Sequence, residues 1–222
     1  MSSLSKAFTS SIGRKFVMGL TGLFLISFLV IHVSINALIF LNDGGKTFNV
    51  AADFMSHNIV VRILEVGLFA GIILHIVQAV MLTAQNNAAR PEKYAYNKPQ
   101  ANSTWYSRSM GLLGTLILMF LVMHLYHFWW PTKVAVYTHQ EHNTFQNIVM
   151  IFQDPLVVVV YVLGVISLGY HLLHGFQSSF QTMGWNHKKW TPVVKTVGVW
   201  FSIIVPIIFA LMPIAIYLGW IS

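Results

Sequence analysis

The sequence predicts an all-α integral membrane bundle of five transmembrane helices, and three observations predict it. The 222 residues are 56% hydrophobic and only 9% charged, far more apolar than a water-soluble domain of that length. Five stretches are long enough, at about 1.5 Å rise per residue, to cross a hydrocarbon core of about 30 Å. They run from Phe16 to Leu41, Ile59 to Ala84, Met110 to Trp130, Leu156 to Phe180 and Val193 to Ile221. Between them, basic residues crowd the segments of one side only.

Punctuation separates the spans. Asn42-Asp43-Gly44-Gly45 follows the first, Asn86-Asn87 and Pro91 the second, Pro131 the third and Gly184 the fourth, all turn-forming or helix-ending residues. The fifth span has Pro206 and Pro213 but no polar cluster, and reads as scaffold. Residues 1–222 therefore form one transmembrane domain. The first apolar stretch is too long for a signal peptide and lacks a small-residue cleavage site, so the N-terminus is expected to be retained.

Charge orients the bundle. Lys6, Arg14, Lys15, Arg90, Lys93, Lys98, Arg108, Lys188, Lys189 and Lys195 fall on one side with Glu92 as the sole acid, whereas Lys46, Arg62 and Lys133 share the other with five acids. Positive residues stay inside, so the N-terminus is expected in the cytoplasm and the C-terminus outside. The net charge of +7 then needs no nucleic-acid partner. With no cysteine in the chain, disulfides, thiolate iron-sulfur ligation and cysteine nucleophiles are excluded. A bound metal must rest on His, Met, carboxylate or carbonyl groups.

An ionisable side chain at membrane depth costs about 2.5 kcal/mol or more when charged, so each one there needs a reason. His32, His75, His124 with His127, and His171 with His174 lie in the first four spans, and the fifth has none. His32 stands 16 residues past Phe16 and His124 16 past Arg108, both on outward-running helices, which puts them in one outer layer about 24 Å from the cytoplasmic boundary. His75 and His174 lie on inward-running helices and share an inner layer.

Internal repetition gives the same pairing. A shift of 92 residues aligns Met18-Gly19-Leu20 with Met110-Gly111-Leu112, Gly22 with Gly114, Phe28-Leu29-Val30 with Phe120-Leu121-Val122, and His32 with His124. A shift of 99 aligns Leu74-His75 with Leu173-His174, Gln78 with Gln177 and Thr83 with Thr182, which selects His174 over His171. Two neutral imidazoles from two helices at one level suit six-coordinate, low-spin iron in a porphyrin. Gly22, Gly114 and Gly164 each stand ten residues before a candidate ligand, where a missing side chain lets a flat macrocycle approach or lets helices pack. His127 and His171, each three residues from a candidate ligand and able by geometry alone to take its place, are read as polar packing or propionate contacts, and His57, His139 and His142 as solvated loop residues.

Other polar groups mark the span ends. Arg62 and Glu65 have an i, i+3 spacing that permits an ion pair, and Glu65 is also a candidate for proton exchange at a quinone site near the outer pair. On the inner side, Ser10 or Ser11 with Arg14, and Trp105 with Arg108, are candidates for a quinone head group or haem propionates, or interface anchors.

The most specific local patterns are Thr21-Gly22 leading to His32, Gly114 leading to His124-Leu125-Tyr126, and His174-Gly175 running on to Gly184-Trp185. In these the chain resembles the single-chain, five-helix, di-haem cytochrome b anchors of succinate:quinone oxidoreductases and quinol:fumarate reductases, over nearly its whole length. That resemblance implies two b haems held by His32, His75, His124 and His174, and a menaquinone or ubiquinone as membrane substrate. It also implies flavoprotein and iron-sulfur partners on the cytoplasmic side and a place in the cytoplasmic membrane of a prokaryote, with no succinate chemistry on this chain. Some fumarate-reducing relatives have a Glu two residues before the fourth-helix ligand, where this chain has Leu172. The alternatives are a cytochrome b of hydrogenase or formate dehydrogenase type, and a proton-relaying transporter without haem. Against the transporter, the repeats relate helices of parallel direction rather than inverted ones.

Overall fold

In a computed structural model the described residues are 10–88 and 103–221. Lys6, Arg90, Pro91, Glu92, Lys93 and Lys98, which entered the charge and turn expectations, lie outside them. The described chain is all helical, and five of its helices are long and apolar enough to cross a membrane.

The first span is α1, Ser11–Ala37, started by Ser10, whose hydroxyl accepts from the Gly13 N–H at 3.0 Å. It tightens into a 3₁₀ turn over Leu38–Leu41 and stops where Asn42, Gly44 and Gly45 take positive φ. The expected loop beyond is instead a surface helix, α2, Lys46–His57. Asp43 accepts from the Thr47 amide at 3.0 Å and its hydroxyl at 2.5 Å, bonds that hold the exposed Asp43 carboxyl below the usual carboxylate range. The second span, α3, is Ile59–Ala88 and runs through Asn86-Asn87 rather than ending there.

The third span departs most from expectation. After a short turn, α4 (Trp105–Arg108), α5 covers Met110–His124. A π turn follows over Leu125–Trp129, and α6, Trp130–Thr138, continues the same rod past Pro131. Pro131 sits in the first turn of α6, where a missing N–H is tolerated. His139 in the left-handed region ends the rod. A second surface helix, α7, Thr144–Ile151, precedes the fourth span, α8, Pro155–Thr182, and the fifth, α9, Trp190–Tyr217. Gly184 closes α8 as the turn chemistry predicted: its φ is +76° and the Trp185 N–H reaches back to the Phe180 carbonyl at 3.0 Å.

α8 is the hub, packed along α9, α5 and α1, while α3 packs along α1. The first three spans turn most of their surface outward, as Val66, Leu112 and Val122 do, each more than half exposed. Lipid tails are as apolar as these side chains, so close helix contact relies on small residues. Gly198 lies under the Phe176 ring, Gly164 under Phe120, and Gly19 against Thr182. Buried hydroxyls satisfy themselves on their own helix: Ser167 on the Leu163 carbonyl at 3.0 Å, Ser179 on Gly175 at 2.9 Å, Ser202 on Gly198 at 2.6 Å.

The densest core lies at one end, beneath α2 and α7, where Ile39, Phe48, Phe145, Ile148, Phe152, Tyr161 and Ile216 are buried together. This is the capped end. The opposite, basic end has Arg14, Lys15, Arg108, Lys188, Lys189 and Lys195. Gly45 at φ +74° has the Phe145 ring where a Cβ would stand. Gly45→Val therefore combines backbone strain with overpacking and is expected to destabilise by about 2 kcal/mol or more, read as a lower thermal midpoint of the purified protein in detergent.

Candidate cofactor-binding site

The buried histidines meet in two places. At the capped half, His32 of α1 faces His124 of α5 with ring centroids 5.8 Å apart and planes at 87°. Phe28 stacks on His32 at 5.1 Å and Phe209 of α9 lies 5.5 Å away, while Phe120, Phe128 and Tyr161 surround His124. The Asn36 side-chain amide lies 3.4 Å from His32 Nδ1, whereas the His124 Nδ1 is buried without a hydrogen bond.

Nearer the basic end, His75 of α3 faces His171 of α8, centroids 6.2 Å apart and planes at 64°. The chain repeat had paired His75 with His174. The structure instead puts the residue three positions earlier opposite His75, so that His174 projects about 60° away around α8. The His171 Nδ1 is likewise buried without a partner.

Thr21, which entered the sequence pattern only as the neighbour of Gly22, has a role of its own in the structure. Buried in α1, it donates to the Val17 carbonyl at 2.9 Å, and its oxygen lies 3.1 Å from His75 Nδ1. With its one proton engaged on the backbone, the hydroxyl accepts from Nδ1–H, which fixes the His75 tautomer and leaves Nε2 as the lone-pair nitrogen. Gly22 beside it is closed by the Ser179 hydroxyl, 2.7 Å from where a Cβ would be, with His75 at 3.8 Å. Thr21 lies eleven residues before His32, so the two pairs are about 16 Å apart along the helix axis. Of the three glycines ten residues before candidate ligands, Gly22 and Gly164 are packing contacts and only Gly114 faces open space.

No three His, Cys, Asp or Glu side chains gather at one point among the described residues, so the nitrogen donors come in twos. Two donors suit a metal that brings its own equatorial ligands. Imidazole nitrogens bonded about 2 Å to either side of one ion put ring centroids about 6 Å apart, close to both observed separations. The residues present therefore fit a haem at each level.

The ion pair expected between Arg62 and Glu65 is absent. Glu65 accepts from the Trp129 indole N–H and, at 2.7 Å, from the Lys133 ammonium, while Arg62 donates to the Tyr137 hydroxyl at 3.2 Å and lies over its ring. Helical spacing missed this because the partners sit on another helix, at the far end of the third span, with Lys133 and Tyr137 on its continuation beyond Pro131. At the basic end Trp105 packs on Tyr170, and Arg108 donates to the Ser103 carbonyl at 2.5 Å. Arg14 lies in the first turn of α1. The five residues marked for quinone thus divide between the two ends.

A succinate dehydrogenase cytochrome b558 subunit from Bacillus subtilis (strain 168) is 30% identical to this chain over 160 residues, 71% of this chain and 72% of that protein. The chain belongs to this family. It is a membrane cytochrome b subunit of the succinate dehydrogenase type, a multi-pass protein of the bacterial cytoplasmic membrane. No family model matches the chain, and no solved structure matches it.

The clasp at the capped end of this cytochrome b subunit lends itself to a thermodynamic check. Glu65 and Lys133 are 22% and 12% exposed, so removing one leaves the other partly desolvated. Lys133→Met is expected to destabilise by about 1–3 kcal/mol, below the cost for a fully buried pair. The double variant Glu65→Gln/Lys133→Met should recover part of that loss, which a cycle of thermal midpoints measures.

Proposed function

We propose that this subunit is the di-haem membrane anchor of a succinate:quinone oxidoreductase or quinol:fumarate reductase, carrying electrons between a cytoplasmic iron-sulfur subunit, itself partnered by a flavoprotein, and menaquinone or ubiquinone in the membrane. The observation that carries this reading is the pair of imidazole pairs, each drawn from two helices and set at two depths. His32 and His124 would hold one haem b, and His75 and His171 the other, with His171 in the place that the repeat gave to His174.

Haem b with two imidazole ligands supplies reversible one-electron chemistry at iron and leaves no coordination position for oxygen. The chain's own residues do the rest. Thr21 holds the His75 ring in the tautomer that presents Nε2, and the Phe28, Phe120, Phe128 and Phe209 rings keep water from the other pair. The basic end lies in the cytoplasm by the positive-inside rule, which puts the His75 pair nearer the soluble partners and the capped end outside. Glu65 is the proton-exchanging group for quinone at the capped end and Arg62 a head-group contact there, and Arg14, Trp105 and Arg108 offer head-group contacts at the basic end. Two residues before His171 stands Gly169, so no carboxylate is available there for a transmembrane proton route.

The test is a haem-to-protein ratio with a reduced-minus-oxidised spectrum on the purified subunit. About two haems per chain are expected, and a ratio near zero would sink the reading. His171→Ala should lose one haem while His174→Ala keeps both. Loss at His174 with retention at His171 would restore the pairing read from the repeat.

A further inference from the structure

Helix geometry allows only limited freedom between the outer histidine and the clasp. In a regular α-helix the His127 carbonyl accepts from the N–H four residues on, which here is Pro131, a residue with no N–H and a ring that crowds that carbonyl. The rod widens at this point. The Trp130 N–H reaches back five residues to the Leu125 carbonyl, and one extra residue enters the turn. A π turn between helical segments turns everything beyond it by about 100°, one residue's step.

The freed carbonyl is not left bare. Asn147, from the surface helix α7, donates its side-chain amide to the His127 carbonyl at 3.1 Å, standing in for the N–H that Pro131 lacks. The His127 ring is held as well: its Nδ1 lies 3.1 Å from the hydroxyl of buried Tyr161, and the two rings stack at 5.9 Å, 7° from parallel. Before the bulge, His124 faces His32. At its last residue Trp129, and beyond it Lys133, the rod meets Glu65 on α3.

We infer that Asn147 is a positioning residue for the outer histidine pair: its bond to the His127 carbonyl, with Pro131 and Tyr161, sets the turn of the third span that aims His124 at His32 and sends His127 away from it. The inference rests on the proposed ligand role of His124 only where haem is the readout. The hydrogen bond itself is read without haem.

The experiment uses the assembled membrane complex in detergent, with Asn147→Leu, Pro131→Ala and the double variant. Asn147→Leu should shift the low-spin electron paramagnetic resonance signal of one haem and leave the other unchanged, and lower the thermal midpoint by about 2–10 °C. Pro131→Ala restores a backbone N–H opposite the same carbonyl, so in that background Asn147→Leu should lose most of both effects. The inference is overturned if Asn147→Leu leaves both haem signals and the midpoint unchanged, or if its effects are as large with Ala at 131. Should Asn147→Leu fail to assemble, the double variant decides: assembly like that of Pro131→Ala supports the inference, and failure overturns it. An absence of haem in the unaltered protein would defeat the proposed function, while the cycle of midpoints would still read the bond.

Discussion

Everything in this chain answers to one constraint: inside a bilayer a polar group must find its partner within the protein. Water is not there to take up an unpaired donor or acceptor, and each one left bare costs several kcal/mol. Hydroxyls therefore fold back on their own helices, as Ser167, Ser179 and Ser202 do, and the Glu65 carboxylate is met by an ammonium and an indole. Among the described residues the exceptions are Gln78 Oε1, His142 Nε2 and the Nδ1 atoms of His124 and His171. Two of these four belong to imidazoles that face another histidine across a helix seam.

The scaffold that presents them divides its labour. α8 and α9 are more enclosed than the other spans, and small residues let them approach their neighbours, whereas α1, α3 and α5 face lipid over most of their surface. The surface helices α2 and α7 close one end over a dense core. The histidine pairs occupy the seams: α1 against α5, α3 against α8.

The five spans were legible from hydropathy because crossing a bilayer is a demand on length and apolarity alone. The pairing of His32 with His124 was legible too, since depth and repetition converged on it and the two rings face each other. The choice between His171 and His174 was not legible. Positions three apart on a helix lie on nearly the same face, and a few shared identities at a shift of 99 residues cannot separate them; in the structure it is the His171 ring that faces His75. Pro131 was read as a stop because proline removes an N–H. That reasoning was sound locally, but it missed that a π turn and an asparagine far along the chain take over the missing bond. The Glu65 to Lys133 contact spans 68 residues and was hidden for the same reason.

Both histidine pairs join spans that are next-but-one in the chain, first to third and second to fourth. During synthesis the first two spans emerge with one histidine each and no facing partner. The His32 pair cannot close until the third span has entered the membrane, nor the His75 pair until the fourth has. The order of the chain thus makes both seams late products of biogenesis, with the level of His32 completed first.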